Sequence, residues 1–281
     1  MHISLRGEFC KNRFGQVGLV ILTGITVLAL LAPVIAPADP HRQTRRSFEP
    51  PSALYILGTN HVGQDNWSRL VHGARTSLLV GFLVACAATL MSVLLGVSCA
   101  LKGGLYDSIL MRFVDALIII PAIIILLLIF AYLKPNIYLI AMSIALFSWA
   151  GGARILRAQT LSLKERAHIW AARSFGGNNW YVMRRHIVPD LSPIIAVEFI
   201  HAFRRGVFVE AGLAFLGIGD VTTVSWGVIM RNAAEYSYMN AWSWWLLPAG
   251  LALSITIISF TFIAHTLEPI MEPRLREEAS A

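Results

Sequence analysis

Six apolar stretches punctuate the chain, at residues 17–35, 77–100, 116–132, 137–153, 194–216 and 244–266. Each is close to the ~20 residues an α-helix needs to cross the hydrocarbon of a bilayer. No water reaches the backbone there, so a helix, which closes its own hydrogen bonds, is the element that fits. The composition agrees: 56% of residues are hydrophobic and 14% are charged, against roughly 25% charged in soluble domains. The expected fold class is an all-α polytopic membrane protein with six transmembrane helices. The fifth stretch is the weakest, because it holds Glu198, His201, Arg204, Arg205 and Glu210.

The first stretch comes after Arg6, Lys11 and Arg13 and precedes Ala36-Pro37-Ala38, which invites comparison with a signal peptide. Its apolar run is long for that role and Pro37 suits a cleavage site poorly, so an uncleaved anchor is expected. Basic residues then orient the chain. With the N-terminus inside, the inner segments hold Arg6, Lys11, Arg13, Lys102, Arg112, Arg154, Arg157, Lys164, Arg166, Arg173, Arg184, Arg185, Arg274 and Arg276. The outer segments hold Arg42, Arg45, Arg46, Arg69, Arg75, Lys134 and Arg231. Both termini are therefore expected in the cytoplasm, and the net charge of +7 is read as contact with inner-leaflet lipid rather than nucleic acid. Cys10, Cys86 and Cys99 show neither metal-like nor disulfide-like spacing and read as packing residues.

The chain thus divides into a cytoplasmic segment 1–16, a first transmembrane helix 17–36, an extracytoplasmic loop 37–76, and a core 77–281 with five further helices and an insert at 157–190. The loop is expected to be mostly irregular before it leads into a surface helix. Trp226, Trp242, Trp244 and Trp245 read as an interfacial belt. Pro121 and Pro248 fall inside apolar stretches, where each removes a backbone donor and favours a kink.

The insert is basic and amphipathic. Good helix formers run over 160–175, and Gly176-Gly177 supplies a stop. Asn178 or Asn179 can cap a second helix over 180–187, and Pro189 and Pro193 bound the segment after it. Ile169, Trp170, Phe175, Trp180 and Val182 are too apolar for a solvated loop; they call for lipid or a protein groove.

Within the insert, Ala171-Ala172, Gly176 four residues on, and His186-Ile187-Val188-Pro189 form one spaced pattern. It resembles the coupling-loop signature of permease subunits in ATP-binding-cassette importers, where Glu-Ala-Ala is succeeded by Gly and, after nine residues, a short apolar stretch ending in Pro. Trp170 stands at the Glu place and carries no charge for an ion pair there. The resemblance extends along the chain to the dipeptide/oligopeptide/nickel branch and its second, C-type permease. It rests on Asn12 and Gly18-Leu19, on Ala32 to Pro37 with Asp39-Pro40, on 57–65 with Ser68-Arg69-Leu70, Gly73 and Arg75, on Arg112, Asp115 and Pro121, and on 215–219 with Ser225-Trp226-Gly227. Asn60 and Gln64 stand where the branch usually has Asp and Arg. The resemblance implies the type I importer permease architecture and four kinds of neighbour: a homologous permease forming a heterodimer, two ATP-binding subunits, an extracytoplasmic substrate-binding protein, and membrane lipid. The implied place is the bacterial inner membrane, and the implied cargo a peptide, nickel or a metal chelate.

No G-x-x-x-x-G-K-[ST] phosphate loop occurs, so the chain is not expected to bind ATP itself. No His-Glu-x-x-His, Gly-x-Ser-x-Gly or Cys-x-x-Cys motif occurs either; no enzyme activity, metal or cofactor is expected. A secondary transporter or channel working alone is the alternative. It would carry intramembrane carboxylate chains and repeated halves, and would have no use for a docking insert. A respiratory anchor would need paired haem ligands, whereas His201 and His265 are far apart.

In the fifth stretch, Glu198, His201 and Arg205 share one helical face by their spacing, and Arg204 lies about a hundred degrees away. A charge at the bilayer centre costs about 2.5–3.5 kcal/mol on insertion scales. Three readings stand. Glu198 and Arg205 neutralise each other and tie helices together, or the group, with Glu210, marks a cationic patch along a translocation path, or the stretch lies near the inner interface.

Overall fold

A computed structural model describes residues 12–220 and 222–267. Among them no strand forms beyond one isolated bridge between Thr59 and Asp65. The readings placed on Arg6, Cys10, Lys11, Arg274 and Arg276 lie outside the described residues. Helices α1 (Arg13–Leu30) and α2 (Ala32–Ile35) lead to the loop, and α3 (Asn66–Lys102) comes after it. Then come α4 (Gly104–Ile119), α5 (Ala122–Tyr132), α6 (Ile137–Leu163), α7 (Ala167–Ser174), α8 (Asn179–Val182), a π-helical turn (Met183–Ile187) and α9 (Val188–Asp190). Helices α10 (Ser192–Phe215), α11 (Trp226–Glu235) and α12 (Trp242–Leu267) complete the described chain. Among the described residues four helices, α1, α3, α6 and α12, are long and apolar enough to cross a membrane, and the number rises to as many as six if each of two bent pairs is counted as one span.

Helix α3 sets the frame. Its 37 residues extend about 55 Å at ~1.5 Å per residue, so the expected surface helix and second span are one element. Asp65 caps its start, accepting from the Trp67 and Ser68 amides. The loop therefore lies at one end of the molecule. The insert lies at the other, where Val97 and Leu101 of α3 join its core. Between the ends, the buried side chains Val80, Val84, Ala88, Ile144, Trp149 and Ala153 form the central core of α3 and α6.

Three expectations change in detail. Pro121 does more than kink its helix: α4 and α5 meet at 82°, with Pro121 extended at the break. Pro248, well inside α12, leaves that helix continuous. Trp226 and Trp245 are not belt residues but buried core, because α11 and α12 fold over the loop end. The Trp226 indole donates to the Leu70 carbonyl at 3.1 Å, and Trp245 stacks on His61 at 5.5 Å. Trp242 is the exposed one.

Candidate functional site

The insert is built on a keel. Ile169, Val182, Met183, Ile187 and Leu191 are buried together with Val97, Leu101, Leu156 and Leu163 of the long helices. Burying one such side chain is worth about 1.5–3 kcal/mol, so the keel fastens the insert to α3 and α6. The sequence favours one helix over 160–175, but α6 stops at Leu163 and α7 restarts at Ala167. The turn between them lets Ile169 face inward while Trp170 stays 60% exposed; uniform helix propensity carries no sign of such a break.

Gly176 takes φ +86°, a left-handed conformation that suits glycine. Its amide donates to Arg173 O at 2.9 Å and the Gly177 amide to Ala172 O at 3.0 Å. These are the paired bonds of a Schellman stop. Asn178 caps α8, accepting from the Tyr181 amide at 2.8 Å. Pro189 does not bound a helix; the helical path runs through it to Asp190. The π turn explains why. The Val188 amide donates to Met183 O, five residues back, and this widened turn removes the clash a proline ring makes in a regular helix. The path then bends by 76° into α10.

Around the keel the surface is aromatic. Phe175 is 92% exposed, and Trp170, Trp180 and Tyr181 are each at least half exposed. Ala171, Gly176 and Pro189 are exposed and Ala172 is partly so, whereas Ile187 of the spaced pattern is buried in the keel. His186 is half-buried beneath the exposed strip, its Nε2 enclosed without a partner and its ring edge-on to Tyr181 at 5.6 Å. His168 reaches Asp190 at 3.2 Å and closes the strip.

The ionisable residues of α10 do not form one group. Glu198 is 7% exposed and sits in a notch of α6: a Cβ on Gly152 would meet its carboxylate at 2.5 Å and Ser92 Oγ at 2.7 Å. Glu198 and Arg205 make no ion pair. Arg205 donates instead to Ser148 O of α6 at 2.9 Å and lines a cavity of about 370 Å³ beside the α4–α5 break, with Pro121, Leu126 and Gly151. Arg204 turns the other way and donates to Thr261 Oγ of α12 at 3.0 Å. His201 is half-buried on the same helix. Glu210 is buried near the loop end, where Ser77 Oγ donates to it at 3.2 Å. Ser77 Oγ also accepts from the Trp226 amide, so Glu210 fastens α3, α10 and α11 together.

Sequence reasoning missed two features. Asp107 of α4 grips Arg157 of α6 through two bonds of 2.5 Å, and Asp115 pairs with Arg154. Carboxylates on an adjacent helix gave no local signal. The second is the loop: Asn60 and Gln64, the two departures from the branch's pattern, are each other's partners. Asn60 Nδ2 donates to Gln64 Oε1 at 2.7 Å and Asn60 Oδ1 accepts from the Gln64 amide at 2.8 Å. An amide pair thus stands where the pattern has opposite charges. Beside it, burial and then the Arg69 charge lower the His61 pKa, against the raising effect of Glu235. Burial raises that of Asp65, opposed by its two capping bonds.

Over residues 92–277 the chain matches the family described as the inner membrane component of binding-protein-dependent transport systems. Residues 5–51 match the N-terminal transmembrane domain of oligopeptide transport permease C. The dipeptide transport system permease protein DppC of Bacillus subtilis (strain 168) is 31% identical over 268 residues, 95% of this chain and 83% of that protein. A protein of Brucella abortus biovar 1 (strain 9-941), provisionally named as a peptide transport system permease protein, is 33% identical over 270 residues, 95% of this chain and 90% of that protein.

Proposed function

This chain belongs to the family of inner membrane components of binding-protein-dependent transport systems, and from that premise we propose that it is the C-type permease subunit of an ATP-driven peptide importer. It forms half of the pore with a homologous permease. Two ATP-binding subunits dock on the insert, and an extracytoplasmic binding protein delivers cargo to the loop end. The termini and residues 157–190 are cytoplasmic in this reading, in keeping with the excess of basic residues on that side. Peptides are the cargo favoured by the relatives' names; nickel and metal chelates are the alternatives within the resemblance.

The observation that carries the reading is the insert's division into a buried aliphatic keel and an exposed aromatic strip. A soluble partner can push on Trp170, Phe175 and Trp180, and the keel passes that displacement to α3, α6 and α10. Ala171, Ala172, Gly176, His186 and Pro189 shape the strip. Closure of the ATP-binding subunits would then bias the spans between inward- and outward-open states, an equilibrium shifted by differential binding. Of the α10 residues, Arg205 is the one we assign to the translocation path, since it borders a cavity at the α4–α5 break. Glu198, Arg204 and Glu210 serve as fasteners between helices.

Reconstitution tests this. With both permeases, the ATP-binding subunits and a loaded binding protein in proteoliposomes, ATP should drive dipeptide uptake, and Arg205→Gln should lower uptake while ATP hydrolysis stays stimulated. Uptake without ATP-binding subunits, driven by an ion gradient, would instead establish a secondary transporter.

A further inference from the structure

A cavity of about 470 Å³ opens at the loop end, between the loop residues His41, His61 and Gln64 on one side and Gly217, Asp220, Thr223 and Arg231 on the other. Arg69, in the first turn of α3, forms part of its wall although it is only 4% exposed. Its Nη1 donates to Pro40 O at 3.1 Å and to Gln64 Oε1 at 2.5 Å. Its Nε, on the other edge of the guanidinium, is enclosed with no acceptor. Among the described residues no carboxylate forms an ion pair with it. The neighbouring acids are engaged elsewhere: Asp65 caps α3, Asp220 accepts from Thr222, and Glu235 pairs with Arg231 at 3.5 Å. A buried guanidinium without a counter-charge is costly, and the fork of an arginine edge fits a carboxylate through two charge-assisted bonds.

We propose that this cavity is a carboxylate-binding site in which Arg69 receives the free C-terminal carboxylate of a small peptide, with Arg231 at the rim. The volume lies within the ~300–1,000 Å³ of small-molecule sites. It suits a whole dipeptide better than one acidic side chain inserted from a docking protein. The choice of a peptide rests on the importer reading above; the carboxylate rests on the cavity. The site lies at the end opposite the insert, so it would act as a receiving station before cargo passes to the cavity beside Arg205.

The test is equilibrium dialysis of radiolabelled dialanine against the full chain in lipid nanodiscs, without nucleotide. Dialanine should bind, its C-terminal amide should bind at least tenfold more weakly, and Arg69→Gln should lose at least tenfold. Arg69→Lys should retain more binding than Arg69→Gln. Because Arg69 also holds Pro40 and Gln64, Arg231→Gln at the exposed rim provides a second variant, expected to weaken binding severalfold. Equal binding of dialanine and its amide, or dialanine affinity untouched in both Arg69→Gln and Arg231→Gln, overturns the proposal. So does a chain that ignores free dialanine while Arg69→Gln weakens docking of the binding protein; the occupant would then be a protein side chain. Failure of the importer reading would appear separately, as ATP-binding subunits that do not assemble with the chain.

Discussion

At the insert end, aliphatic side chains are buried to hold the backbone and the aromatic rings are left outside. At the loop end, polar groups hold the backbone to itself and Trp226 and Trp245 are buried, with Tyr238 and Trp242 left exposed. Phe175, Trp170 and Trp180 face outward, whereas His61 stacks on Tyr236 and Trp245 and Phe48 packs edge-on to both, all within about 6.4 Å. The loop backbone is closed by Asn60, Gln64, Thr59 and Arg69 through short hydrogen bonds. An exposed aromatic strip on a buried aliphatic base marks a protein or membrane contact, and the importer proposal assigns it to a protein. The polar loop closes on itself around a cavity but leaves Arg69 Nε without an acceptor, an arrangement suited to a small polar molecule.

The comparison can be broken at either end. The largest effect is expected at Gly176. A Cβ there meets no neighbour within 4 Å, but the φ of +86° is unfavourable for any other residue. Gly176→Asp should leave membrane insertion intact and reduce transport and ATPase stimulation at least tenfold; wild-type uptake at normal expression would remove the docking role. Ile169→Ala should cost about 2–5 kcal/mol of local stability, as large-to-small core changes do, seen as protease sensitivity confined to the insert. Asn60→Ala should cost about 1–3 kcal/mol, because buried partners lose their bonds, and the loss should appear as faster hydrogen exchange in the loop alone. The smallest effect is that of pH on His61. Its pKa is lowered from 6.5, so the unfolded chain takes up a proton first as pH falls. Loop-end stability should be whole above pH 6.5 and decline as pH drops below it, and His61→Phe should flatten that decline in thermal melts.

How much of this was legible in the sequence differs between the same two regions. Gly176-Gly177 and Asn178 announced a stop and a cap, and both are where the residues predict, because turn chemistry is local. The apolar stretches announced the candidate spans, four to six of them among the described residues, because hydrocarbon thickness imposes a length. The illegible part depends on contacts between distant segments. The break after Leu163 exists so that Ile169 can reach Val97 and Leu156. Pro189 looks like a terminator until a π turn accommodates it. Trp226 and Trp245 look like belt residues until α11 and α12 cover the loop. Glu198 and Arg205 share a helical face by spacing, yet each is claimed by a different part of α6. The Asn60–Gln64 pair, four residues apart, could have been recognised from the sequence: two departures from one pattern, complementary to each other, are a signal of contact.

The central claim is that the aromatic strip is covered by ATP-binding subunits. Phe175, nearly fully exposed in the chain alone, is its most direct reporter. With Cys10, Cys86 and Cys99 replaced by Ser, a Phe175→Cys chain in nanodiscs should react rapidly with a water-soluble maleimide. After assembly with the ATP-binding subunits, labelling should fall at least tenfold, while a cysteine at the exposed Trp242, near the opposite end, should label equally in both states. Equal labelling of Phe175→Cys before and after assembly would contradict the account.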